Sequence, residues 1–219
     1  MNIHWDKIDT VLLDMDGTLL DLKFDNYFWH EFIPLRFAIK NRIDIEVAKK
    51  YLEPLFKKKE KSLDWYCLDY WTKILDIDVL SLKVEVSELI SVLPYVIEFL
   101  EKLNNCPLNV LMVTNAHRDS LKIKFTKTNI DIYFDHIISS HDYGVPKEDY
   151  LFWYRLINEY EIDIKKTILI DDSLDVLESA RNFGFENLIH LSNPDSSLPP
   201  KSSPLFTNIN DFRELINVF

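Results

Sequence analysis

Glycine is almost missing. The 219 residues contain three, Gly17, Gly144 and Gly184, where an average soluble chain of this length carries about fifteen. So few glycines, set so far apart, exclude a G-x-G-x-x-G dinucleotide fingerprint and a glycine-rich P-loop. Cysteine is scarce as well. Cys67 and Cys106 are too few for a disulfide framework, and free thiols suit a reducing compartment. No stretch approaches the roughly eighteen consecutive apolar residues of a membrane span, and the opening residues Met1 to Lys7 lack the apolar core of a signal peptide. Basic excess is missing too: 36 Asp and Glu stand against 25 Lys and Arg, a net charge of −11. Such a chain repels a polynucleotide backbone unless a local patch overrides the net field. The strongest patch, Lys57-Lys58-Lys59-Glu60-Lys61, reads as a solvated helix end. The expectation is a cytoplasmic protein with neither polynucleotide nor membrane as partner.

What is present is enough apolar material, 47% of residues, to build a sizeable core. Several short apolar runs end in small or polar residues. Val11-Leu12-Leu13 runs into Asp14, Val110 to Val113 into Thr114, and Ile137-Ile138 into Ser139-Ser140. Thr167 to Ile170 runs into Asp171-Asp172, and Leu188 to Leu191 into Ser192. Unbroken runs of this kind suit strands buried on both faces of a parallel sheet. Helical periods lie between them, as in Tyr150-Leu151, Tyr154, Leu156-Ile157 and Tyr160. The pattern predicts an α/β fold with a doubly wound, mainly parallel sheet, whose ligands gather at the carboxyl ends of the strands.

The first two runs are separated by far more chain than one crossover helix needs. Residues 21–93 carry helical stripes, Ala48, Tyr51, Leu52, Leu55 and Phe56 in one and Leu68, Trp71, Ile74 and Leu75 in another. Asn26 to Lys40 predicts a further helix, and Pro54 is expected to start or kink one. The domains expected are therefore a core from residues 1–20 and 94–219 and a helical insertion from 21–93. Ser192 to Pro204, with four prolines and five serines, predicts a surface loop, and Asp211 to Val218 a closing helix.

The sharpest chemical signal is Asp14-Met15-Asp16-Gly17-Thr18 after the first strand. Two carboxylates two residues apart at a strand end aim towards one site, and Gly17 permits the turn. A second pair, Asp171-Asp172, ends another strand, although Asp172 or Ser173 would also cap the helix that follows. Four carboxylates at adjacent strand ends repel one another unless a cation sits among them. Oxygen ligands without His or Cys point to Mg²⁺. A carboxylate beside Mg²⁺ stays ionised and is a competent nucleophile towards phosphorus. Thr114 and Asn115 offer a hydroxyl, an amide and backbone N–H groups to phosphoryl oxygens, and Lys147 offers a point charge. Taken singly, Thr114 also reads as a helix cap and Lys147 as a solvated side chain.

The order acid pair, Thr, Lys, acid pair resembles the four motifs of the haloacid dehalogenase-like (HAD) superfamily of phosphohydrolases, which stand here as DMDGT, VTNAH, VPKED and ILIDDS. The resemblance covers the whole chain and implies a Rossmannoid core with a helical C1-type cap after the first motif. By it, Asp14 is the nucleophile that forms an aspartyl-phosphate, and Asp16 is the acid for the leaving oxygen and then the base for water. Thr114, Asn115 and Lys147 hold the phosphoryl group. Mg²⁺ is held by Asp14, the backbone carbonyl of Asp16 and Asp172, with Asp171 behind them. The stretches Leu13 to Leu22 and Phe24 to Trp29, with Asp64 to Trp71, Thr114 to His117 and Tyr143 to Asp149, look like the bacterial GMP/IMP nucleotidases of that superfamily. That narrower likeness implies a purine nucleoside 5′-monophosphate as substrate.

Trp29, Trp65, Tyr66 and Trp71 are candidates to stack a purine, or are core residues of the insertion. Asp25, Asn26 and Asp69 are candidates to read base or ribose edges, or cap helices; His117 binds substrate or holds the turn after Thr114. Other small phosphate esters, a sugar phosphate or phosphoglycolate, are the alternative substrates, and a phosphomutase would use the same motifs. Dehalogenation is disfavoured because a carbon–halogen substrate needs neither Asp16 nor a cation. A non-catalytic metal-binding module is the reading from outside enzymology. A monomer or weak homodimer is expected.

Overall fold

The computed structural model describes residues 4–218. Six strands form one sheet: β1 (Thr10–Leu13), β2 (Asn109–Thr114), β3 (His136–Ser139), β4 (Thr167–Asp171), β5 (Asn187–Leu191) and β6 (Thr207–Ile209). Their order is β3-β2-β1-β4-β5-β6 and every pairing is parallel. The chain winds outwards from β1 to β3, crosses back to β4 and winds outwards again, so the order reverses between β1 and β4. That reversal opens the crevice in which doubly wound sheets bind ligands.

The unbroken apolar character of the strands follows from their place between two cores. Val11 and Leu13 of β1 point to one face, with Val110, Met112, Ile168 and Ile170, against helix Val96–Asn104 and the C-terminal residues Phe212 and Leu215. Leu12 points to the other, with Leu111, Val113 and Leu169, against helices Tyr150–Glu159 and Leu174–Phe183. All of these strand residues are at most 2% exposed. The register sets Leu13 beside Met112 on one neighbour and Ile170 on the other. Asp14, Thr114 and Asp171 therefore reach the same edge of the sheet.

The chain between β1 and β2 is helical, and its own apolar cluster is built on Phe28, Trp29, Phe32, Leu52, Phe56, Leu68, Trp71 and Leu75. It leaves and rejoins the sheet through two connections that run side by side. The Leu93 N–H donates to the Leu19 carbonyl at 2.9 Å, and the Asp21 N–H to the Ser91 carbonyl at 2.9 Å. Within this insert, Pro54 starts no helix. It lies inside helix Ile45–Lys59 on the exposed side, where the carbonyl of Lys50, four residues back, has water to turn to. The predicted helix around Asn26 to Lys40 is a run from Lys23 to Asn41 with a wider, π-type turn at Phe28–Phe32.

Near the C-terminus the structure adds one strand and shortens one helix. β6 carries one buried side chain, Ile209, so its three residues show no strand signature. The closing helix is a single turn, Arg213–Ile216, and it begins just after the Asp211 carboxylate accepts the Arg213 N–H at 2.9 Å. Among the described residues no helix is long and apolar enough to cross a membrane.

Candidate active site

At the carboxyl edge of the sheet, Lys147 is the centre of a buried charge cluster. Its ammonium donates to Asp14 Oδ1 at 2.5 Å, to Asp171 Oδ2 at 2.7 Å and to the Val113 carbonyl at 3.0 Å. Lys147 is 2% exposed, and its backbone N–H is fixed by Asn115 Oδ1 at 2.9 Å. The Asn115 amide in turn donates to Glu148, which also accepts the Tyr66 hydroxyl from the insert at 2.8 Å. Thr114 uses its hydroxyl oxygen to accept the Ala116 N–H, shaping the turn after β2. Burial raises the carboxyls of Asp14, to about 6, and of Asp171, while Lys147 opposes the rise. Burial, with Asp14 and Asp171 as like-charged neighbours, holds Asp172 well above the ordinary carboxylate range. The two acids raise the Lys147 ammonium despite its burial.

Several features of this cluster fit a hard cation. One lysine faces three aspartates, and one carboxylate oxygen each from Asp14, Asp171 and Asp172 lies within 4.8 Å of the other two. Asp14 Oδ2 is buried with no hydrogen-bond partner among the described residues. The donors are all oxygen, the set that Mg²⁺ prefers. Asp171 spends Oδ2 on Lys147 and Oδ1 on the Ser173 N–H. Ser173, rather than Asp172, caps helix Leu174–Phe183, which leaves the Asp172 carboxylate to the cluster. Gly17 makes room for it: at φ +84°, a Cβ there would lie 2.5 Å from Asp172 Oδ2. No side chain fits at that approach.

Asp16 belongs to a second buried network. Lys124, from helix Arg118–Thr128, donates to Asp16 and, at 2.7 Å, to Asp25 Oδ2. Lys83, from helix Val79–Glu85 of the insert, donates to Asp25 Oδ1 at 2.8 Å. Burial raises the Asp16 carboxyl to about 6 against the pull of Lys124. Burial would raise Asp25 too, but the two lysines together override it and hold it at about 2.

A cavity of about 190 Å³ opens between these networks, lined by Asp14, Asp16, Thr114, Lys147 and Asp172, with Tyr66 from the insert. A smaller one of about 50 Å³ shares Asp16 and is lined by Trp29, Trp65 and His117. The structure thus brings together the acid pairs, Thr114, Asn115, Lys147, Asp25, Trp65 and His117. Asn26 and Asp69 line neither cavity. The Asn26 amide instead donates to Asp195 at 2.7 Å, and the Asp69 side chain is 86% exposed. Asp25 acts as an anchor for lysines, Trp71 is fully buried in the insert core, and His117 accepts the Asp119 N–H at 3.3 Å as a helix cap. A larger cavity, about 720 Å³, sits among Gly184, Leu188 and Thr207 at the opposite end of β5 and β6, away from the acids.

Lys83 and Lys124 escape a reading by motif, while Glu148 stands within VPKED but drew no role from it. A signal for the lysines was nonetheless present. The buried faces of their helices read Val79, Leu82, Lys83 and Leu121, Lys124, so each lysine occupies a position where the period asks for an apolar side chain.

An acid pair at each of two adjacent strand ends, with a buried lysine between them, marks a family with one shared site chemistry. The chain belongs to the haloacid dehalogenase-like hydrolases, whose family pattern it matches over residues 8–184. It is 37% identical, over 99% of its length and 97% of the relative's, to the GMP/IMP nucleotidase YrfG of Escherichia coli (strain K12). Its fold matches that of a HAD phosphatase from Thermococcus onnurineus with a TM-score of 0.78 at 21% identity, over 96% and 97% of the two chains. A magnesium-bound HAD-hydrolase, YfnB from Bacillus subtilis, matches with a TM-score of 0.69 at 15% identity, over 96% and 98%. The protein is a hydrolase, and its family and its nucleotidase relative support phosphohydrolase chemistry.

Proposed function

We propose that the protein hydrolyses purine nucleoside 5′-monophosphates, GMP or IMP, through an aspartyl-phosphate with Mg²⁺ as cofactor. One observation carries the reading. Asp14 lines the cavity with one oxygen held by Lys147 and the other unpartnered, while Asp16 lines the same cavity from a separate network. In the first step an Asp14 oxygen bonds to phosphorus and the bond to the nucleoside 5′-oxygen breaks. Asp16 gives that oxygen its proton. In the second step Asp16 takes a proton from water, the water oxygen bonds to phosphorus, and the Asp14–phosphorus bond breaks to release inorganic phosphate. A carboxyl raised to about 6 exchanges its proton readily near neutral pH.

Lys147 and the Thr114 hydroxyl hold phosphoryl oxygens, and Asn115 keeps Lys147 in place through its backbone N–H. Asp14, the Asp16 carbonyl and Asp172 would hold Mg²⁺, with Asp171 fixing Lys147 behind them. When bound, Mg²⁺ supplies positive charge to the phosphoryl oxygens and relieves the repulsion among the acids. Residues 21–93 act as a cap over this site. The cavities are smaller than the roughly 300 Å³ at which ligand clefts begin, so the paired connections at Leu19–Leu93 and Asp21–Ser91 serve as the hinge that admits the nucleotide. Trp65, beside Asp16 in the smaller cavity, is placed to meet the base.

The test is a panel of phosphate esters assayed for free phosphate with and without Mg²⁺. The expected result is Mg²⁺-dependent release with 5′-GMP and 5′-IMP at the top. A panel led by sugar phosphates or phosphoglycolate would remove the nucleotide assignment and leave the phosphohydrolase. Isomerised product without free phosphate would replace hydrolysis by a mutase.

A further inference from the structure

A second group of ligands stands where the insert meets the sheet. Cys67 precedes helix Leu68–Leu75 of the insert, His117 follows β2, and His141 lies just after β3. One ligand atom from each, the Cys67 sulfur and a ring nitrogen of each histidine, lies within 4.8 Å of the other two. The two rings meet edge to face with centroids 4.9 Å apart. His141 Nε2 is buried and has no hydrogen-bond partner among the described residues. A buried ring nitrogen without a partner is uncommon enough to need a reason. Burial, helped by His117, lowers the His141 ring to about 4.

We propose that Cys67, His117 and His141 form a site for a zinc ion, distinct from the carboxylate cluster, that fastens the insert to the sheet. The donor set selects the metal. One sulfur and two imidazole nitrogens suit Zn²⁺ and do not suit Mg²⁺, which takes oxygen. Tetrahedral zinc would draw such atoms to roughly 3.3–3.6 Å of one another, so small side-chain rotations complete the site. Asp69 is the fourth ligand. Its carboxylate lies 3.8 Å from His117 Nε2 and is exposed, hence free to turn in. Cys67 and Asp69 come from the insert and the two histidines from the sheet side. An ion here therefore spans the two, beside the cavity that His117 shares with Asp16.

The test uses full-length, metal-stripped protein in saturating Mg²⁺, titrated with Co²⁺ as a visible reporter and then with Zn²⁺. The expected result is one equivalent bound, with an intense near-ultraviolet sulfur-to-cobalt band and tetrahedral visible bands that Zn²⁺ abolishes. Cys67→Ser should erase the sulfur band, and His141→Gln should weaken binding at least tenfold. Asp172→Asn should leave both signals intact. Zinc should also slow amide hydrogen exchange in helix Leu68–Leu75 of the natural protein and not of Cys67→Ser, a readout independent of spectroscopy and of turnover. A titration without a sulfur band, or with a band unchanged by His141→Gln, would overturn the site. Binding lost only in Asp172→Asn would assign the ion to the carboxylates instead.

Discussion

The two buried lysine networks differ in one respect that sorts their roles. Around Lys147, one positive charge meets three aspartates, Asp14, Asp171 and Asp172. Around Asp25, two lysines meet two aspartates, Asp16 and Asp25, and the charges cancel. The first network is short of positive charge: burial raises all three of its acids, and one of its oxygens has no partner. The second is complete without help from solution, and it reaches from the insert through Asp25 to Asp16. A cluster left in deficit suits the cation and phosphoryl group proposed for it, and a balanced one suits holding the Asp16 side chain still.

Replacing Asp14 by Asn should break the comparison most severely. It removes the carboxylate that the deficit surrounds, and release of phosphate from 5′-GMP should fall by at least about a thousand-fold, with circular dichroism unchanged. Residual turnover near the natural rate would remove Asp14 from the nucleophile's role. Lys124→Ala attacks the balanced network and should cost stability first. Two buried carboxylates lose a shared partner, a loss on the order of 3–5 kcal/mol, read as a fall in Tm of about ten degrees or more. In the surviving folded fraction the acidic limb of the pH profile should shift, because Asp16 loses its partner. A thermally normal variant would show that Lys124 does not anchor the pair.

The pH dependence of Asp25 gives a third, smaller effect. Its folded value, about 2, lies below the ordinary 3.8. The contribution is therefore fully present above about pH 4 and lost as pH falls towards 2. Asp25→Asn should cost about 2 kcal/mol at pH 6, and the gap to the natural protein should close in denaturation curves taken between pH 4 and pH 2. A gap independent of pH would mean that shape, not charge, holds this position. The smallest effect belongs to Asp172→Asn in metal-free buffer. Relief of repulsion should raise Tm by about 2–4 °C, and Mg²⁺ should stabilise the natural protein but not the variant. A lower Tm without metal would mean that the first network is not in deficit.

The two networks were also unequally legible in the sequence. Asp14, Thr114 and Asp171 could be found because a polar residue ends each apolar run, and burial on both faces makes those runs conspicuous. Lys147 followed from its place between those motifs. Lys83 and Lys124 were obscure because lysine is ordinarily solvated, and Lys124 sits among Lys122 and Lys127, which do face water or surface partners. Only the helical period marks them. Asn26 and Asp69 stayed open between two readings for the opposite reason: polar residues in an insert have many surface uses, and nothing local tells an amide bound for Asp195 from one bound for a ligand. The sheet order was legible in outline, but β6 depends on the tertiary partner Leu191 and not on its own three residues.

The paired connections at Leu19–Leu93 and Asp21–Ser91 make the insert, for the sheet, a single loop whose two ends are already closed. Doubling the length of a closed flexible loop costs only about 0.6 kcal/mol, and this one carries its own apolar cluster. The segment is thus an exchangeable cassette. Its length can change at small cost to the sheet, while the register of β1 beside β4 and the acids it aligns stay as they are.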